Sequence, residues 1–99
     1  MKNPIKRINR IFESRIRLGI MSILAVNRSA DFTNLKEQLQ LTDGNLASHI
    51  RALEEKKMIS VSKQFIGKKP NTSYQITRKG REAFMEHLDA LEGLINKIL

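Results

Sequence analysis

The chain is 99 residues long, enough for one domain with one modest core. Its 18 Lys and Arg against 10 Asp and Glu leave a formal charge of +8, which favours a polyanionic partner because neutralised phosphates release condensed counterions; a basic surface kept for solubility is the plainer alternative. The absence of cysteine excludes thiolate metal sites, thiol redox sensing and cysteine nucleophiles, and fits a reducing cytoplasm.

No apolar run approaches the roughly 20 residues that span a bilayer, and Pro4 and charged residues closely follow Met1-Lys2, so neither a membrane span nor a signal peptide is expected. Asn3-Pro4 reads as an N-cap with proline in the first helical position, and Ile5, Ile8 and Phe12 then recur at helical spacing. Ser14 restarts the pattern as the cap of a helix over Arg15 to Val26, with Ile16, Ile20, Ile23 and Leu24 inward. A polar turn from Asn27 to Asp31 follows. Phe32 fits a very short strand before a helix capped by Thr33 or Asn34 and running through Leu39, and Thr42 or Asp43 caps the next, to about Lys57.

The hydrophobic period then drops to two. Ile59, Val61, Lys63 and Phe65 alternate with Ser60, Ser62, Gln64 and Ile66, a half-buried strand, and Thr72 to Thr77 alternates as its return. Gly67 to Asn71 joins them as a basic hairpin tip, and Thr77 caps a long helix from Arg78 to about Ile98. No repeat, low-complexity tract or linker divides the chain, so residues 1–99 are expected to form one domain, mainly α with a small β-hairpin.

Projecting residues 43 to 55 at about 100° per residue sends Leu46, Ile50 and Leu53 to the core and Gly44, Ser48, Arg51 and Glu55 the opposite way. A small, polar outward face near a helix N-terminus allows close approach to base edges. Asn45 suits adenine, Ser48 a base or phosphate, and Arg51 guanine or a phosphate; an ordinary solvated helix face would have the same pattern. His49 falls at the core boundary, and no partners converge on it or on His87 for metal binding or catalysis. Lys68 and Lys69 at a ribbon tip can reach a sugar-phosphate backbone, with Asn71 and Thr72 adding hydrogen-bonding capacity.

In the last helix Phe84, Leu88, Leu91, Ile95 and Ile98 follow 4-3-4-3 spacing, that of a coiled-coil seam. Pairing with a second copy, together with Ile5, Ile8 and Phe12, would bury this surface; packing of first and last helices within one chain is the alternative.

These residues resemble the winged-helix transcriptional regulators of the MarR and ArsR kind, particularly their small stand-alone members. The matching pieces are Arg17 to Leu24, Asp31 to Lys36, Leu41 to Glu55, and Pro70 to Thr77 with Gly80, within a span from Ser14 to Leu91. The resemblance implies a winged helix-turn-helix with dimerisation helices at 1–13 and 78–99, the helix-turn-helix at 33–57 and the wing at 59–77. It implies a homodimer binding double-stranded DNA with sequence specificity, the helix from Thr42 in the major groove and the wing on the flanking backbone or minor groove. Carried over by position, Asn45, Ser48 and Arg51 match the family's reading face and Lys68, Lys69 and Asn71 its wing contacts. Metal-sensing relatives use cysteine ligands, absent here, and relatives that bind aromatic effectors have more helical material to shape a pocket. No cofactor, metal or effector is therefore expected.

The competing expectations are a winged helix kept as a protein-interaction or assembly module, or a sequence-indifferent architectural DNA binder. Enzymatic activity is not expected: Glu54 and Glu55 diverge on a helix, Ser48 has no base partner, and no phosphate-cradling glycine motif occurs.

Overall fold

The computed structural model describes residues 4–98, with side chains for residues 5–96. Two short 3-10 turns, Pro4–Arg7 and Arg10–Phe12, lead into helix α1 (Arg15–Val26), strand β1 (Ala30–Asp31), helices α2 (Phe32–Leu39) and α3 (Asp43–Glu55), strands β2 (Ile59–Ile66) and β3 (Lys69–Ile76), and helix α4 (Arg78–Ile98). The strands form one antiparallel sheet in the order β1-β3-β2, with Ala30 opposite Tyr74 and β2 paired with β3 from Ile59–Ile76 to Ile66–Lys69.

The helices start where side-chain oxygens take up orphan N–H groups. Ser14 accepts from the Arg17 N–H at 3.3 Å, Thr42 from Asn45 at 3.2 Å, and Thr77 from Gly80 at 2.9 Å. α2 starts at Phe32 and is capped by Asp31, whose carboxylate accepts the Asn34 N–H at 2.7 Å. The cap is therefore neither Thr33 nor Asn34, and the short strand lies just before Phe32. α3 stops at Glu55 because Lys57 turns left-handed at φ 59°, and the Met58 N–H reaches back to the Leu53 carbonyl, a Schellman ending.

Instead of the single first helix expected from Ile5, Ile8 and Phe12, two 3-10 turns form. Asn9 is extended (φ −88°, ψ 121°), its side chain caps the second turn, and its N–H donates to Nδ1 of His87 at 3.1 Å. That long-range acceptor draws the backbone out of helical register. Asn3, expected as the cap, lies outside the described residues.

The core gathers Ile20, Met21 and Leu24 of α1, Leu35 of α2, and Leu46, Ile50 and Leu53 of α3. Phe12 and Phe84 belong to it as well, edge to face with ring centroids 5.4 Å apart. The expected intermolecular seam had included both, Phe84 through the 4-3-4-3 pattern of α4 and Phe12 with the first helix. They are buried because the N-terminal turns fold back onto the start of α4.

At the base of the ribbon, Ile59 and Tyr74 are buried, whereas every residue from Ser60 to Pro70 is exposed. β2 is thus not half-buried: the core is too narrow to reach beneath more than the base of the ribbon. The tip is also tighter than expected. Gly67 (φ 64°) and Lys68 alone make the turn, matching a type II′ hairpin, and Lys69, Pro70 and Asn71 belong to β3. Pro70 lies beyond the end of β1, so the ribbon has an open edge there, the setting in which sheets tolerate proline.

Candidate nucleic-acid interface

Burial of Leu46, Ile50 and Leu53 fixes the rotation of α3, leaving Gly44, Asn45, Ser48 and Arg51 exposed together. A Cβ at Gly44 would meet nothing within 4 Å, so this end of the helix is open to close approach. The side chains of Asn45 and Arg51 have no hydrogen bond or ion pair among the described residues. Ser48 Oγ donates to the Asn45 carbonyl at 3.1 Å, leaving its lone pairs as acceptors for an outside donor.

The ribbon runs beside this helix. Ala47, Arg51, Glu54 and Glu55 of α3 face Val61 and Lys63 of β2 and Thr72 and Tyr74 of β3 across one open groove. Arg51 and Lys63 place cations on opposite walls, while Glu54 and Glu55 put negative charge at the end of α3 nearer its C-terminus. Burial, with a smaller contribution from Glu54, raises the Tyr74 phenol above its ordinary value, keeping it neutral in the groove wall. Lys63 was not singled out from sequence as a contact; its place in the alternation with Val61 already put it on the groove side of the ribbon.

Lys68 and Lys69 are exposed at and beside the turn, and none of Lys63, Lys68 and Lys69 has an ion pair among the described residues. Asn71 sits apart from them. It is half-buried in β3 and lines a second cleft, against Asp31, Phe32 and Thr33 at the start of α2. Thr72 borders both clefts.

Behind the exposed face of α3, Arg17 of α1 donates from Nη1 to Nδ1 of His49 at 3.0 Å and from Nε to the Ile11 carbonyl. Burial first, and the Arg17 charge second, hold the His49 imidazole below its usual value, so the neutral ring accepts from the guanidinium. This bridge ties α3 to α1 and the N-terminal turns. Only His49's boundary position was visible from the helical projection, since Arg17 is 32 positions away.

On α4, Leu88 is 38% and Ile95 58% exposed, with Met85 beside them at 50% and Ile5 of the N-terminal turn at 62%. Leu91 and Ile8 are half-buried, and the side chain of Ile98 lies outside the described residues. No group of His, Asp or Glu suited to a metal ion occurs among the described residues. No helix among them is long and apolar enough to cross a membrane.

Residues 16–95 match the family model described as a winged helix DNA-binding domain. A transcriptional regulator homologue from Pyrococcus horikoshii is 36% identical, with 96% of each chain covered and a TM-score of 0.79. An uncharacterised protein of Methanocaldococcus jannaschii is 39% identical over 79 residues, spanning 80% of this chain and 86% of that one. YusO of Bacillus subtilis shares the fold at a TM-score of 0.82 with 14% identity, over 97% of this chain and 67% of its own. With its helix-turn-helix of α2 and α3 and the ribbon beside it, the chain belongs to the winged-helix DNA-binding domain family of transcriptional regulators.

Proposed function

We propose that the chain acts as a homodimeric, sequence-specific regulator of transcription on double-stranded DNA. The observation that carries this reading is the shared groove: a solvent-open α3 face of small and polar side chains lies next to an unpaired lysine ribbon. α3 enters the major groove, where Asn45, Ser48 and Arg51 meet base edges or phosphates. Lys68 and Lys69 hold the flanking backbone, Lys63 adds a third cation from the ribbon wall, and Asn71 contributes from the neighbouring cleft. The whole chain serves as one unit in the cytoplasm, without enzymatic activity, cofactor or effector.

Exposed Met85, Leu88 and Ile95 support pairing through α4, with Leu91, Ile98, Ile5 and Ile8 at its margins. Phe12 and Phe84 serve that interface only indirectly, by holding the N-terminal turns on α4. Two reading helices then favour a near-palindromic site with half-sites about one or two turns apart.

Selection from a randomised duplex pool, followed by sequencing, tests the reading. Enrichment of an inverted repeat supports it. Binding without enrichment would instead make the chain a sequence-indifferent architectural binder, and no binding at all would leave an interaction module.

A further inference from the structure

The free end of the ribbon is both apolar and cationic. Phe65 is 73% exposed and Ile66 63%, within a stretch from Ser60 to Pro70 that is exposed throughout. Alternation along β2 puts Phe65 on the same face as Val61 and Lys63, which line the groove against α3, and its cross-strand partner on that face is Pro70. Ile66 occupies the opposite face, opposite Lys69. A phenyl ring and a proline ring therefore sit side by side at the far end of the groove, with Lys63 behind them and Lys68 in the turn.

Nothing among the described residues covers this pair, and leaving a phenylalanine in water forfeits its burial. The surrounding charge selects the occupant. Three lysines without ion pairs favour a polyanion, and the apolar rings need a non-polar surface within it. Duplex DNA offers both, as phosphates flanking stacked bases and sugar walls, and phenylalanine and proline are among the side chains that wedge between base steps in the minor groove. We infer that the Phe65–Pro70 pair is an apolar wedge that enters the minor groove beside the α3 contact and partly unstacks one base step, bending the duplex. This rests on the DNA-binding reading above and adds to it a selectivity for deformable flanks: pyrimidine–purine steps open readily, whereas A-tracts resist.

The test uses the full chain on fluorescent duplexes of about 30 base pairs carrying either a TA step or an A-tract in the flank, with bending read by energy transfer between the ends. The parent bends the TA duplex and prefers it to the A-tract duplex. Phe65→Ala binds about tenfold more weakly, loses the bend and no longer distinguishes the flanks, while its salt slope stays that of the parent because the lysines remain. Phe65→Trp keeps the bend, and its indole emission, the only one in a chain without tryptophan, is quenched on the duplex by base stacking. Equal affinity and bending by the parent and Phe65→Ala would overturn the wedge while leaving DNA binding intact. An indole that shifts to the blue on phosphatidylglycerol vesicles and ignores duplex would assign the tip to a lipid surface instead. Failure of the parent to bind any duplex would remove the DNA reading and the wedge with it.

Discussion

The backbone N–H of Asn9 donates to Nδ1 of His87 at 3.1 Å, joining positions 78 residues apart. The His87 ring is 3% exposed and tilts against Phe12 with centroids 5.4 Å apart. One imidazole thus holds the N-terminal turns on α4, and it does so only while Nδ1 is free of a proton. Burial pulls the His87 pKa below its ordinary 6.5, against a smaller upward pull from Glu13.

That shift sets a pH dependence. The folded state binds the His87 proton more weakly than the unfolded chain, so stability is fully present above about pH 6.5 and is lost as pH falls through the lower folded value. His49, depressed in the same direction, adds to the loss. Urea melts between pH 7.5 and 5 should show the midpoint dropping on acidification, and His87→Gln should reduce the slope. A midpoint that rises toward acid would contradict the assignment.

Core and seam residues on α4 should separate cleanly. Phe84→Ala removes a buried ring and should cost about 3–5 kcal/mol, with Phe12→Ala similar. Leu88→Glu with Ile95→Glu, both at exposed positions, should leave the monomer's far-UV dichroism intact and halve the mass found by sedimentation equilibrium. A double variant that still sediments as a dimer places the interface elsewhere.

On the DNA side, Arg51→Ala should weaken binding by about 1–3 kcal/mol, either relaxing one base position or losing a phosphate. Lys68→Ala with Lys69→Ala should instead weaken all sequences alike and flatten the salt slope by about two. Titrations of a selected site and a scrambled duplex over a range of salt distinguish the two patterns.

Gly80 is required by space. A Cβ there would lie 1.9 Å from the Met58 carbonyl oxygen, which is backbone and has no rotamer to yield. Gly80→Ala should cost at least about 1–3 kcal/mol in a chemical melt. Lys57→Gly should act the other way, by about 1 kcal/mol, because the left-handed φ of 59° penalises a side chain.

The open face of α3 was readable in advance because Leu46, Ile50 and Leu53 at helical spacing leave only one side for Asn45, Ser48 and Arg51. Phe12 and Phe84 were not, since a seam between chains and a core within one share the same apolar helical spacing. Only contact with a residue distant in sequence, such as His87 against Phe12, decides between them. The first helix failed for the same reason: local spacing favours it, and a remote imidazole acceptor for the Asn9 N–H, on His87, dismantles it. In the ribbon, alternation identified the strands but not whether a core lay beneath them, so Val61 and Phe65 read as half-buried when they project into solvent. Asn71 was placed at the tip because Gly67 to Asn71 is rich in turn formers, whereas Gly67 and Lys68 suffice to reverse the chain.

The hydroxyl of Thr77 lies 2.7 Å from the Lys57 carbonyl and 3.0 Å from that of Met58, and it also caps α4. One oxygen therefore joins the end of α3, the start of the ribbon and the first turn of α4. Loss of that hydroxyl would therefore loosen, at one point, the joint where α3, the ribbon and α4 meet.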